Sequence, residues 1–284
     1  MKKIGKMMAL LLAILLCCGC SWHSEIPPTE PTQSTIAQTL PSQPTELPQP
    51  TEPIGPTVLD FLKIATMPVG NTMYIWGGGW NEADTGAGED AVTLGISPQW
   101  AIFAADKEAK YDHNDFRYQI HNGLDCSGYV GWAVYNLLET ENGREGYVCK
   151  STQMAQALAD RGLGLYIPAQ QMTQWQPGDI MSMPGHVWIV VGMCDDGSVL
   201  LLHSSPPGVM FSGTLLPNGG ESQASRLAQW VMQTHFPQWY EKFPQVSRSC
   251  DYLSKSSAMR WTVLEDPEGI RNMTAQQIVE QIFS

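Results

Sequence analysis

After Cys126, the apolar residues Val130, Ala133, Val134, Leu137 and Leu138 recur at intervals of three and four, predicting a helix with one buried stripe. Asp125 or Ser127 can cap its start, and Glu141-Asn142-Gly143 supplies a stop. Further along, the period changes. Residues 186–192 and 198–203 are short apolar runs on either side of the turn Cys194-Asp195-Asp196-Gly197, which reads as a β-hairpin buried on both faces for most of its length. Residues 180–183 read as a further short strand, entered through the turn Pro177-Gly178-Asp179. Beyond residue 213, the pattern predicts a helix over 221–234 and an irregular aromatic segment over 239–244. A strand over 260–264 and a final helix over 274–283 begun at a Thr cap complete it. Helices and an antiparallel sheet together make the expected fold class α+β.

The hairpin carries two histidines, and its register decides whether they meet. A four-residue loop at 194–197 pairs Met193 with Ser198, and therefore Trp188 with His203, so that His186 and His203 become diagonal neighbours on one face. A two-residue loop at Asp196-Gly197 keeps one face but sets His203 opposite Val190. A three-residue loop sends the histidines to opposite faces, because a slip of one residue inverts the pattern. The four-residue loop is the one that suits a base and its orienter.

The N-terminal part has a different character. Lys2, Lys3 and Lys6 precede an apolar run over 7–16 that is too short to span a bilayer, the pattern of a secretory signal over 1–19. Leu16-Cys17-Cys18-Gly19-Cys20 resembles the lipobox of bacterial lipoproteins, with Cys17 where an aliphatic residue is usual. That resemblance implies lipidation at Cys20 and an extracytoplasmic chain anchored to the membrane. Residues 20–57 read as a tether. Nine of the chain's twenty prolines lie there among Thr, Gln, Ser and Glu, a composition too poor in apolar surface to fold. Residues 58–284 are left for a globular unit. The formal charge of −12 gives no basic stripe and argues against a nucleic-acid partner.

Cys126 falls in the first turn of the predicted helix, where backbone N–H groups and the helix dipole favour a thiolate and can receive an oxyanion. A structural buried cysteine is the plain alternative. Cys149, Cys194 and Cys250 are too few and too scattered for a disulfide scaffold, and whether two of them pair stays open. Asp112-His113-Asn114-Asp115 matches no recognised metal loop.

Taken together, Tyr74-Ile75-Trp76-Gly77-Gly78, Asp125-Cys126-Ser127-Gly128, Pro177-Gly178-Asp179, His186-Val187 and His203-Ser204 resemble, in order, the motifs of the NlpC family of papain-like cell-wall cysteine peptidases. The resemblance spans about 70–213. It implies a papain-like fold with the nucleophile helix packed on an antiparallel sheet. It also implies hydrolysis of peptidoglycan stem peptides, commonly between D-glutamate and the diamino acid, with no cofactor and no metal. By position, Cys126 would be the nucleophile, His186 the base and His203 its orienter. Tyr74 would reach the edge of the site, and Asp125 and Ser127 would hold the free amine of the stem peptide; Asp125 can equally be the helix cap.

Two stretches depart from the family pattern. Residues 80–121 form an acidic insert, read as a lid beside the cleft or as a solvated loop, and residues 214–284 form a C-terminal extension expected to pack on the core. Other functions compatible with the residues are a papain-like amidase or acyltransferase of the wall, and a catalytically silent wall-binding lipoprotein.

Overall fold

The computed structural model describes residues 55–138 and 146–284. The signal, Cys20, most of the tether and the stop at 141–143 lie outside them. Along the chain come α1 (Val58–Thr66), β1 (Met73–Tyr74), α2 (Pro98–Ala105), β2 (Gly123–Leu124) and α3 (Cys126–Leu138), followed by α4 (Met154–Asp160), β3 (Gly164–Ile167) and β4 (Ile180–Met183). The hairpin strands are β5 (His186–Met193) and β6 (Val199–Ser205), with β7 (Gly208–Thr214) after them. The extension supplies α5 (Gln223–His235), α6 (Pro237–Lys242), β8 (Ser247–Arg248), α7 (Asp251–Ser254), β9 (Ser257–Trp261) and α8 (Ala275–Ile282). The class is α+β.

The strands form one sheet in the order β2-β1-β7-β6-β5-β4-β9-β3, with β8 alongside β7. Pairing is antiparallel except between β1 and β2 and between β7 and β8. Alternation divides β5 between two cores. Val187, Ile189 and Val191 join the main core with α3, whereas Trp188 and Val190 join a smaller one with Met181, Leu201 and Ala258. This is why the run reads as continuously apolar: both faces are covered.

The hairpin reaches the expected pairing by an unexpected route. Ile189 pairs with Leu202, the register in which Trp188 faces His203, but Met193 pairs with Val199 and the connection is five residues, 194–198. A β-bulge between Val190 and Gly192 absorbs the extra residue. Loop and bulge offset one another, so the histidine end keeps its face.

The insert is neither a free lid nor a bare solvated loop. Trp100 of α2 is fully buried edge-on against Trp132 of α3, whose indole N–H donates to the Gly95 carbonyl at 3.1 Å. The extension enters the sheet itself, with β9 hydrogen-bonded between β3 and β4. Its strand lies earlier than the residues 260–264 read from sequence, and the aromatic segment expected to be irregular contains the short helix α6. There, Pro237 fits the first turn and Trp239 packs on Phe243.

Candidate active site

The start of α3 is built by close backbone approach. Asp125 N–H donates to the Gly78 carbonyl at 3.0 Å, and the same carbonyl lies where a Cβ on Gly128 would stand. Gly79 likewise abuts the Gly128 Cα. Gly78 and Gly79 on one segment and Gly128 on the other are therefore two sides of one contact.

Asp125 is the cap. Its Oδ1 accepts from Gly128 N at 2.7 Å and from Ser127 Oγ at 2.8 Å, and the Ser127 hydroxyl accepts the Trp80 indole N–H at 3.0 Å. Both residues are buried and committed to the helix start. Burial pushes the Asp125 carboxyl up to about 6, against the hydrogen bonds that favour its charged form. Tyr74 on β1 is also buried. Its phenol is raised by burial first, then by the neighbouring Cys126 and Asp125, and its ring meets His113 edge-on at 5.4 Å.

Cys126 is 7% exposed. Backbone amides of Val187, Ser127 and Cys126 itself favour the thiolate, as expected of a helix start, but burial and then the Asp125 charge outweigh them and push the thiol up to about 12. The resting sulfur is thus a thiol, not the thiolate that the helix start alone suggests. The three other cysteines of the described residues are free.

His186, first residue of β5, donates or accepts at Nε2 with His203 Nδ1 of β6, 2.9 Å away. This hydrogen bond is the meeting that the hairpin register requires. His186 makes no such bond with the thiol in this conformation. Its ring is partly exposed to solvent yet closely surrounded by protein, and desolvation, followed by repulsion from Arg248, lowers it to about 3. His203 is fully buried and lowered by the same two causes and by His186. Both rings are neutral at rest.

Two residues of the extension complete the surroundings, and no sequence signal marks them. Arg248 Nε donates to His203 Nε2 at 3.2 Å, and Ser212 Oγ of β7 lies 3.0 Å from the same nitrogen. Tyr252 of α7 meets His186 edge-on at 5.5 Å and His203 at 6.1 Å and lies near Arg248. An arginine Nε only donates, so His203 Nε2 must present its lone pair. The proton then sits on His203 Nδ1 and is donated to His186 Nε2, which leaves the neutral His186 protonated on Nδ1.

Pro177-Gly178-Asp179 holds the sheet rather than the chemistry. The buried Asp179 takes Arg260 of β9 at 3.0 and 2.7 Å, and the Gly178 carbonyl takes the Trp261 indole N–H at 2.9 Å. A cavity of about 530 Å³ opens beside the insert, lined among others by Trp80, Asn81, Glu82, Tyr118 and His121; Cys126, His186 and His203 do not line it.

No protein-family model matches the chain, and no curated protein matches it.

Proposed function

We propose that the chain is a cysteine peptidase of the cell wall with a papain-like fold, akin to the NlpC family. It would hydrolyse peptide bonds in peptidoglycan stem peptides, with glutamyl–diamino acid bonds the first candidates, on a chain exported by the signal over 1–19 and anchored to the membrane by a lipid on Cys20. The observation that carries this reading is the His186–His203 hydrogen bond, on a strand whose next amide, that of Val187, lies beside the sulfur of Cys126.

In the mechanism, the Cys126 thiol gives its proton to His186 Nδ1 and the sulfur attacks the scissile carbonyl carbon. The oxyanion is received by backbone amides at the start of α3. Collapse breaks the C–N bond, and His186 returns the proton to the leaving amine. Water then loses a proton to His186, attacks the thioester and frees Cys126. For this, His186 needs its Nδ1 lone pair, with Nε2–H donated to His203 Nδ1. Asp125 and Ser127 act by shaping the helix start, and Tyr74 borders the sulfur.

The test is the protein on defined muropeptides, with Cys126→Ala as control and products read by mass. Cleavage after glutamate by the parent alone supports the reading. Release of whole stem peptides makes the enzyme an amidase, and no turnover of any muropeptide sinks the peptidase reading.

A further inference from the structure

Behind the histidine pair stands a cation that lacks an anion. Arg248 Nε faces His203, Nη1 donates to the Ser247 carbonyl at 2.9 Å, and Nη2 reaches only the Met210 sulfur at 3.5 Å. The Tyr252 phenol lies nearby. Among the described residues no carboxylate pairs with it. The arginine and lysine ion pairs there are Arg226–Glu221, Lys242–Glu108, Lys255–Asp251 and Arg260–Asp179. A guanidinium keeps its charge, and holding one largely out of water beside neutral groups is costly. Its fork matches a carboxylate far better than a thioether. Arg248 nevertheless retains some solvent exposure, so an incoming anion can reach it. Tyr252 lies near both it and the nucleophile, since its phenol is lowered by the guanidinium and raised by Cys126.

The contact with His203 has a second consequence. While Arg248 donates to Nε2, the proton order leaves His186 without a lone pair toward the thiol. The order that the base needs runs the other way, from His186 Nε2–H to His203 Nδ1 and from His203 Nε2–H to Ser212 Oγ. Ser212 is already within 3.0 Å. Only the guanidinium must be drawn aside.

We propose that Arg248 is the receptor for a free carboxylate of the substrate beside the scissile bond, and that its engagement releases His203 to set the base tautomer of His186. This rests on the peptidase reading for its substrate class: a glutamyl residue joined through either of its carboxyl groups keeps the other free. The receptor itself does not depend on turnover.

The experiment therefore has an arm without catalysis. Full-length protein, Arg248→Gln and Arg248→Lys are alkylated with iodoacetate and with iodoacetamide, and the label on the Cys126 peptide is read by mass. In both reagents the sulfur displaces iodide, and only one carries a carboxylate. Relative to glutathione, the parent should favour iodoacetate at Cys126 by about 10-fold or more. Arg248→Gln should lose that preference and Arg248→Lys should keep part of it. An unchanged preference in Arg248→Gln, with its melting temperature intact, overturns the receptor. In Arg248→Gln the iodoacetamide rate should rise, because His203 Nε2 is free to donate to Ser212; no rise removes the tautomer argument. The second arm compares glutamyl peptides with the free carboxyl and with its amide. Selective cleavage of the acid, lost in Arg248→Gln, supports both readings. Cleavage without selectivity, together with no iodoacetate preference, overturns the receptor and leaves the peptidase. An iodoacetate preference without any cleavage supports the receptor and overturns the peptidase.

Discussion

The sulfur of Cys126 and the imidazole of His186 share no direct hydrogen bond in this fold; the backbone amide of Val187, which follows His186 on β5, lies beside the sulfur and favours its charged form. Strand and helix start are thus adjacent while the side chains remain uncoupled. Both side chains of this pair rest neutral, with the thiol at about 12 and His186 at about 3.

Labelling should show this directly. With the thiol raised from its usual 9 to about 12, the folded protein keeps Cys126 protonated at pH 8. Alkylation of Cys126 by iodoacetamide should be at least about 100-fold slower in the native protein than in urea. Equal rates in the two states would remove the burial argument.

His203 serves His186 through Nδ1. His203→Asn retains an oxygen that can accept from His186 Nε2–H, whereas His203→Ala does not. On a cleaved muropeptide, kcat/KM should fall by about 10-fold for Asn and about 1000-fold for Ala. Equal losses would mean that His203 acts by packing alone.

Gly128→Ala sets two effects against each other. Alanine favours a helix by about 1 kcal/mol over glycine, but here the added Cβ meets the Gly78 carbonyl. Overpacking against backbone costs about 3 kcal/mol, so urea denaturation should show a net loss. A gain in stability would mean that the two segments part readily.

Arg260→Ala should destabilise by about 3 kcal/mol, since it strands a buried Asp179 carboxylate. The figure is at the low end for such a pair because Arg260 is itself 22% exposed. Arg260→Ala with Asp179→Asn should recover part of that loss in a double-mutant cycle.

Acid should weaken the fold through His186. Its native value of about 3 lies below the unfolded 6.5, so between these the unfolded chain binds the extra proton. This contribution is complete above pH 6.5 and is lost as pH falls toward 3, with a slope below about 1.4 kcal/mol per pH unit. Denaturant melts of the parent and His186→Asn across this range should converge toward low pH; parallel curves would exclude His186 as the cause.

Periodicity made α3, the hairpin and the capped α8 legible, because each is specified by local spacing. The histidine register came out right although the loop was one residue longer than expected, because the bulge at Val191 restored the face. The partners of β9 were not legible: three short strands from distant segments carry no local mark of who pairs with whom. Nor was the neutral thiol, since a helix start is visible in sequence and its burial is not. Arg248 and Tyr252 sit in an ordinary polar stretch, and only tertiary packing brings them to His203.

The place of β9 has a consequence for how the molecule comes into being. β3 bonds to no other strand, and β4 shows an open edge until residues 257–261 arrive between them. A ribosome delivers those residues some seventy positions after β4. Until then, the nascent chain holds a divided sheet with an unpaired margin inviting foreign strands, and Arg248 and Tyr252, which shortly precede β9, have only just emerged. Assembly of the centre is therefore a late event, and a chain interrupted before residue 257 carries Cys126, His186 and His203 without the frame that closes around them.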